Sequence, residues 1–218
     1  MTRSSSVSTL TGGDAPPTAL SRLVDVVLDP LAAFRGVDVR PTWGVAFLAL
    51  VALRFGSVLA FYRPDTTPAK LAAGMLFQIA TLLPLVTLTT LVLWLVALTC
   101  RVRVSWASAW CVATHVTFAY TLLTVAIASI AGALLPESSD VHLRNPPFTN
   151  LGFVVDQLEA PVAHAMLAEV DVRSAYAVTL MWLGVREASR AGGTKTACVV
   201  ILCFGVAVVA AIISAMLR

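Results

Sequence analysis

The chain has 218 residues, 58% of them hydrophobic and only 12% charged, with a net charge of +3 and a mean hydropathy of +0.87. A soluble globular domain carries about 25% charged residues, so this composition excludes one and marks an integral membrane protein. Thirteen Arg against two Lys, with heavy use of Ala and Val, fits a GC-rich bacterial genome.

Residues 1–19, MTRSSSVSTLTGGDAPPTA, are Ser, Thr, Gly and Pro with no apolar core, so they read as a disordered tail, neither signal peptide nor span. In residues 20–36, LSRLVDVVLDPLAAFRG, Leu20, Leu23, Val24, Val27, Leu28, Leu31 and Phe34 recur at helical spacing opposite Arg22, Asp25, Asp29 and Arg35. That pattern predicts an amphipathic helix, broken or kinked near Pro30 and suited to the headgroup region. Its apolar face could equally pack on the protein's own helices.

Residues 37–218 form the membrane domain. Four long apolar segments, 41–62, 71–99, 106–135 and 197–217, can each cross a hydrocarbon core of about 30 Å. The third is long for one straight span; its start, SWASAWC, puts Trp106 and Trp110 at an interfacial belt, with the crossing proper beginning near Trp110. A fifth segment, 172–190, has Arg173 and Arg186 separated by twelve uncharged residues, about 18 Å of helix.

Positive charges decide whether that segment spans. With five crossings and the N-terminus inside, the inner side holds nine: Arg3, Arg22, Arg35, Arg40, Arg101, Arg103, Arg186, Arg190 and Lys195. The outer side holds five: Arg63, Lys70, Arg144, Arg173 and Arg218. If 172–190 lay on the surface, both sides would hold seven and the bias would vanish. The positive-inside rule therefore predicts a fifth crossing, with Arg173 and Arg186 snorkelling toward opposite interfaces and the C-terminus outside.

The loop before it begins turn-rich, PESSDVHLRNPPFTN, and continues as LGFVVDQLEAPVAHAMLAEV at roughly helical spacing. The second part reads as a helix or re-entrant cap, with Asp171 as N-cap of the fourth span. His142 and His164 share this loop with Glu137, Asp140, Asp156, Glu159, Glu169 and Asp171, but no His pair stands at ligand spacing. The loop reads as solvated and acidic, and no metal site is expected. In the last span Ala207, Ala211 and Ala215 recur every four residues and allow close approach of another helix, from this chain or from a partner membrane protein.

The order of these features resembles the Yip (Ypt-interacting protein) family in its bacterial branch. The residues that carry the likeness are VLDPLAAFRG before the first span, NLGF at 150–153 and DVRSAYAVTLMWLG at 171–184 before a final apolar helix. It departs from the family at Tyr176, where members carry Trp, and in AYTLLT at 119–124, where a Pro often follows the Ala-Tyr pair. The resemblance implies a five-helix membrane bundle with a cytoplasmic N-terminus. Eukaryotic relatives act as adaptors for small GTPases, a role that does not carry over to bacteria.

Catalytic signatures are missing: no phosphate-binding glycine loop, no HExxH, no GxSxG and no acidic residue inside the four long apolar segments. Cys100, Cys111, Cys198 and Cys203 lie in apolar stretches and read as packing residues. No enzyme, cofactor or nucleic-acid partner is expected, and the bilayer is the first partner.

Arg54 is the polar feature that stands out. An Arg deep in hydrocarbon costs at least about 2.5 kcal/mol, so it should face acceptors inside the bundle. Its depth matches that of His115 when Pro41 and Arg103 mark the inner face, and Gln78, Thr87 and the carbonyl freed by Pro84 complete a candidate polar cluster. A scaffold or adaptor-type membrane protein is the first reading. The alternatives are a transporter or channel subunit, or a small anion- or lipid-binding protein using Arg54.

Overall fold

The computed structural model describes residues 18–60, 67–134 and 160–217; the expected tail and the first part of the long loop lie outside them. The described residues form eight helices and no strand. α1 (Ala19–Leu28) starts where the Thr18 hydroxyl accepts the Ser21 N–H at 3.1 Å. The break expected near Pro30 falls at Asp29, which leaves helical geometry with φ −142° and accepts the Ala32 N–H at 3.2 Å to open α2 (Pro30–Phe34). Pro30 at the first helical position loses no hydrogen bond there. Gly36, at φ +68°, then turns the chain toward the first long helix.

The bundle consists of α3 (Gly44–Ala60), α4 (Pro68–Thr99), α5 (Trp106–Leu134), α7 (Val172–Ser189) and α8 (Gly193–Met216), with the short α6 (Pro161–Ala168) lying against α8. Pro68–Thr99, Trp106–Ile130 and Gly193–Met216 are long and apolar enough to cross a bilayer, while Gly44–Leu59 is apolar but shorter. The architecture is all-helical and fits a membrane-embedded protein. At 32 residues α4 is about 48 Å long, well beyond a hydrocarbon core, and so needs tilt or the kink available at Pro84. Leu76, Phe77, Leu83, Leu88 and Leu95 on α4, with Ile201, Val206, Val209 and Ile213 on α8, are exposed and give the bundle an apolar outside. A surface of that extent needs lipid, not water.

α5 is the central helix, touching α1, α3, α4 and α7. Cys111 to Val116 are buried in succession, as expected of a helix apolar all round. Its neighbour α7 comes close because Gly184 has no side chain: a Cβ there would stand 2.7 Å from Val112 Cγ1 and 3.2 Å from Phe34 Cε1. α8 buries only Thr196, Val199, Val200 and Cys203; farther along, Ala207 is exposed and Ala211 and Ala215 are half-buried.

Candidate functional site

Two polar centres lie at opposite ends of the bundle. The basal end, where α3, α5 and α8 begin, is organised by Arg22 of α1, which is fully buried. Its guanidinium donates to the Arg40 carbonyl at 2.7 Å, the Thr42 hydroxyl at 3.2 Å and the Arg35 carbonyl at 3.0 Å. Those acceptors belong to the connection between α2 and α3, and a planar fork of donors is suited to collecting carbonyls that point in different directions.

The sequence puts Arg22 on the polar, water-facing side of α1, and the structure buries it while Asp29 and Arg35 stay exposed. Arg22 and Val26, one turn apart, face the bundle, while Leu20, Val24, Leu28 and Leu31 stay exposed. Tyr176 of α7 fastens the same helix by donating its hydroxyl to the Val26 carbonyl at 2.7 Å.

His115 belongs to this end. It is 1% exposed, with Nδ1 2.8 Å from the Cys111 carbonyl and its ring edge-on to Phe34 at 6.1 Å. A carbonyl only accepts, so Nδ1 carries the proton and Nε2 is left as a lone pair, buried without a hydrogen-bond partner. Cys111 Sγ lies 3.7 Å from the Thr42 carbonyl.

That contact sets the register of α3 against α5. With Thr42 beside Cys111, and not beside Arg103, Arg54 comes level with residues about two turns beyond His115. Arg54 is half-buried, its Nε is enclosed without an acceptor, and its electrostatic neighbour is Tyr120. On α4, Thr87 donates to the Leu83 carbonyl at 2.7 Å, the Gln78 carbonyl accepts from Thr81 at 3.2 Å, and Pro84 is exposed. Each of these hydrogen bonds is local to its helix, and none among the described residues joins two of Arg54, Gln78, Thr87 and His115.

At the distal end Asp171 caps α7, accepting the Ser174 N–H at 2.6 Å, and binds Arg173 through Nε at 2.6 Å and through a second guanidinium nitrogen. Asp171 is 7% and Arg173 4% exposed, and Arg173 lies over the Tyr120 ring at 5.6 Å from its centroid. Arg173 thus departs from the expected snorkelling: a carboxylate two residues away neutralises it inside the protein. Arg186, by contrast, is exposed and rests over Trp182 at 5.3 Å. Burial, and then the charge of Asp171, push the Glu169 carboxyl above its ordinary range.

Sequence reasoning found Asp171 as a cap but missed its pairing with Arg173 and missed the Arg22 centre. Arg22 carried one signal, its spacing of four from Val26, which places the two on one helical face. Cys100 and Cys198, far apart in the chain, bring their sulfurs to 3.5 Å, which no spacing could indicate. His164 sits on α6 and His142 lies outside the described residues; among these residues no group of three or more His, Cys, Asp or Glu is placed to hold a metal. No family model, curated protein or solved structure matches the chain.

Proposed function

We propose that the chain is a scaffold-type protein of the bacterial cell membrane, of the Yip kind, which holds lipids or membrane partners and carries out neither transport nor catalysis. The observation that carries this reading is the use of its buried polar side chains. Arg22 and His115 bond main-chain carbonyls of this chain, and Asp171 and Arg173 bond each other. Tyr176 ties α7 to α1. Groups fixed in this way hold helices in place; a conduction path needs polar groups free to exchange partners. Arg54, half-buried with its Nε enclosed without an acceptor, is the specific feature that favours the second reading, a site for a small anion or lipid headgroup.

Anion flux from proteoliposomes separates the two. The wild-type chain and Arg54→Leu are expected to leak no faster than empty liposomes; flux in the wild type that Arg54→Leu abolishes would establish transport instead.

The orientation proposed is N-terminus inside, C-terminus outside, with five crossings at about 41–62, 71–99, 106–135, 172–190 and 197–217. It is supported by the nine-to-five distribution of positive charge. It is also supported by a chain of ring contacts at the basal end, Trp43 to Trp110 at 5.8 Å, Trp110 to Trp106 at 6.3 Å and Trp106 to Trp94 at 5.8 Å, as in an interfacial belt. In that setting Leu20, Val24, Leu28 and Leu31 of α1 enter the inner headgroup layer. A reporter fused after Arg218 should signal from outside the cell; a cytoplasmic signal would mean an even number of crossings.

A further inference from the structure

At the basal end, the connection from α4 to α5 and the connection from α7 to α8 enclose an open cleft of about 380 Å³. That is within the roughly 300–1,000 Å³ of small-molecule sites. Its lining includes Arg101, Arg103 and Lys195 and no carboxylate.

The sequence forces the two arginines outward. In residues 101–104, RVRV, Val102 and Val104 are buried at 2% and 6%, while Arg101, at φ +55° in the turn that ends α4, and Arg103 are exposed. The Val102 N–H is anchored on the Ala97 carbonyl at 2.8 Å, so the segment is fixed to the end of α4. Lys195 reaches the cleft from the first turn of α8. The acid that the fold supplies nearby, Asp38, is taken up by Arg190 at 2.8 Å.

Three cations therefore share one cleft, with no hydrogen bond or ion pair to a carboxylate among the described residues. Like charges so placed repel, and an anion in the cleft relieves that repulsion. The floor is suited to the same guest. α8 begins at Gly192 with no side chain capping it, so the first-turn N–H groups of Gly193, Thr194 and Lys195 stay available, and these residues line the cleft. A Cβ at Gly192 or Gly193 would meet nothing within 4 Å, which leaves the backbone open to close approach. Ser189 also lines the cleft, its hydroxyl donating to the Val185 carbonyl at 2.6 Å and accepting the Ala191 N–H at 3.2 Å.

The geometry points to this cleft as a binding site for a phosphate group: the phosphodiester of an anionic lipid headgroup, or the phosphate of a soluble molecule. The site goes beyond the scaffold reading and does not need it, since a cleft that binds no phosphate leaves the flux result standing, and flux leaves the cleft standing.

The test is thermal unfolding of the full chain in a zwitterionic detergent, with phosphatidylglycerol, phosphatidylcholine or inorganic phosphate added. A ligand that binds the folded state raises the unfolding temperature with concentration. Phosphatidylglycerol is expected to stabilise the wild type and phosphatidylcholine to have no effect. Each of Arg101→Gln, Arg103→Gln and Lys195→Gln should weaken the apparent affinity about fivefold. All three positions are exposed, so the variants should fold. Arg40→Gln with Arg186→Gln, neutralising exposed cations outside the cleft, should leave the affinity unchanged.

Stabilisation by phosphatidylglycerol alone assigns the lipid as the source; stabilisation by inorganic phosphate alone assigns a soluble ligand. The proposal is overturned if neither stabilises the wild type. It is also overturned if the stabilisation survives all three cleft substitutions, or falls equally with the Arg40 and Arg186 pair.

Discussion

Gly184→Ala is expected to destabilise the bundle by about 1–3 kcal/mol, the range for forcing extra atoms into a filled core. The new methyl group would stand 2.7 and 2.8 Å from the two γ-carbons of Val112 and 3.2 Å from Phe34. Valine on a helix is confined to essentially one side-chain rotamer, so Val112 cannot turn aside and α7 has to move off α5. Gly205→Ala in α8 provides the opposite sign: a Cβ there meets nothing within 4 Å, so the helix gains up to about 1 kcal/mol from the better helix former. Equilibrium unfolding in mixed micelles measures both. Combining Gly184→Ala with Val112→Ala should recover part of the loss, and a purely additive result would show that the two residues do not collide.

Arg22→Met should be at least as damaging, lowering stability by about 3 kcal/mol. Methionine fills much of the volume but donates nothing, leaving the carbonyls of Arg35 and Arg40 and the hydroxyl of Thr42 without their donor. Each buried polar group so abandoned costs about 1–3 kcal/mol, partly offset because a buried charge is removed with it. Arg22→Lys should rescue only part, since one ammonium cannot reproduce the spread of the guanidinium fork. α1 should also come loose, so limited proteolysis ought to cut between Leu23 and Phe34 in the methionine variant and spare the wild type. Equal protection in both would show that α1 is held by other means.

The elements were legible where one property repeats along the chain. Apolar length placed the helices at 44–60, 68–99, 106–134 and 193–216 to within a few residues, the helix at 172–189 was read from its flanking charges, and Asp171 was readable as a cap from its place before a helical run. Side-chain partnership was not legible in the same way. Arg22 looks like a water-facing residue because its acceptors are main-chain carbonyls, which have no signature in sequence. Arg54 and His115 looked level because Pro41 and Arg103 were taken to stand at one depth; α3 instead starts against Cys111, which puts Arg54 about two turns beyond His115. The cleft at Arg101 and Lys195 depends on two connections meeting in space, a matter of topology and not of local pattern.

The hydrogen bond from Tyr176 to the Val26 carbonyl joins residues 150 positions apart, which bears on how the chain is made. α1 is synthesised before the other described helices, yet one of its anchors follows only after α3, α4 and α5. Until α7 arrives, α1 has Arg22 held from the α2–α3 side and α5 beside it, but lacks the Tyr176 hydrogen bond. Its last fastening is therefore a late event in biogenesis, and a nascent chain arrested before Tyr176 would carry an α1 that lacks this tie and stands more open to proteases.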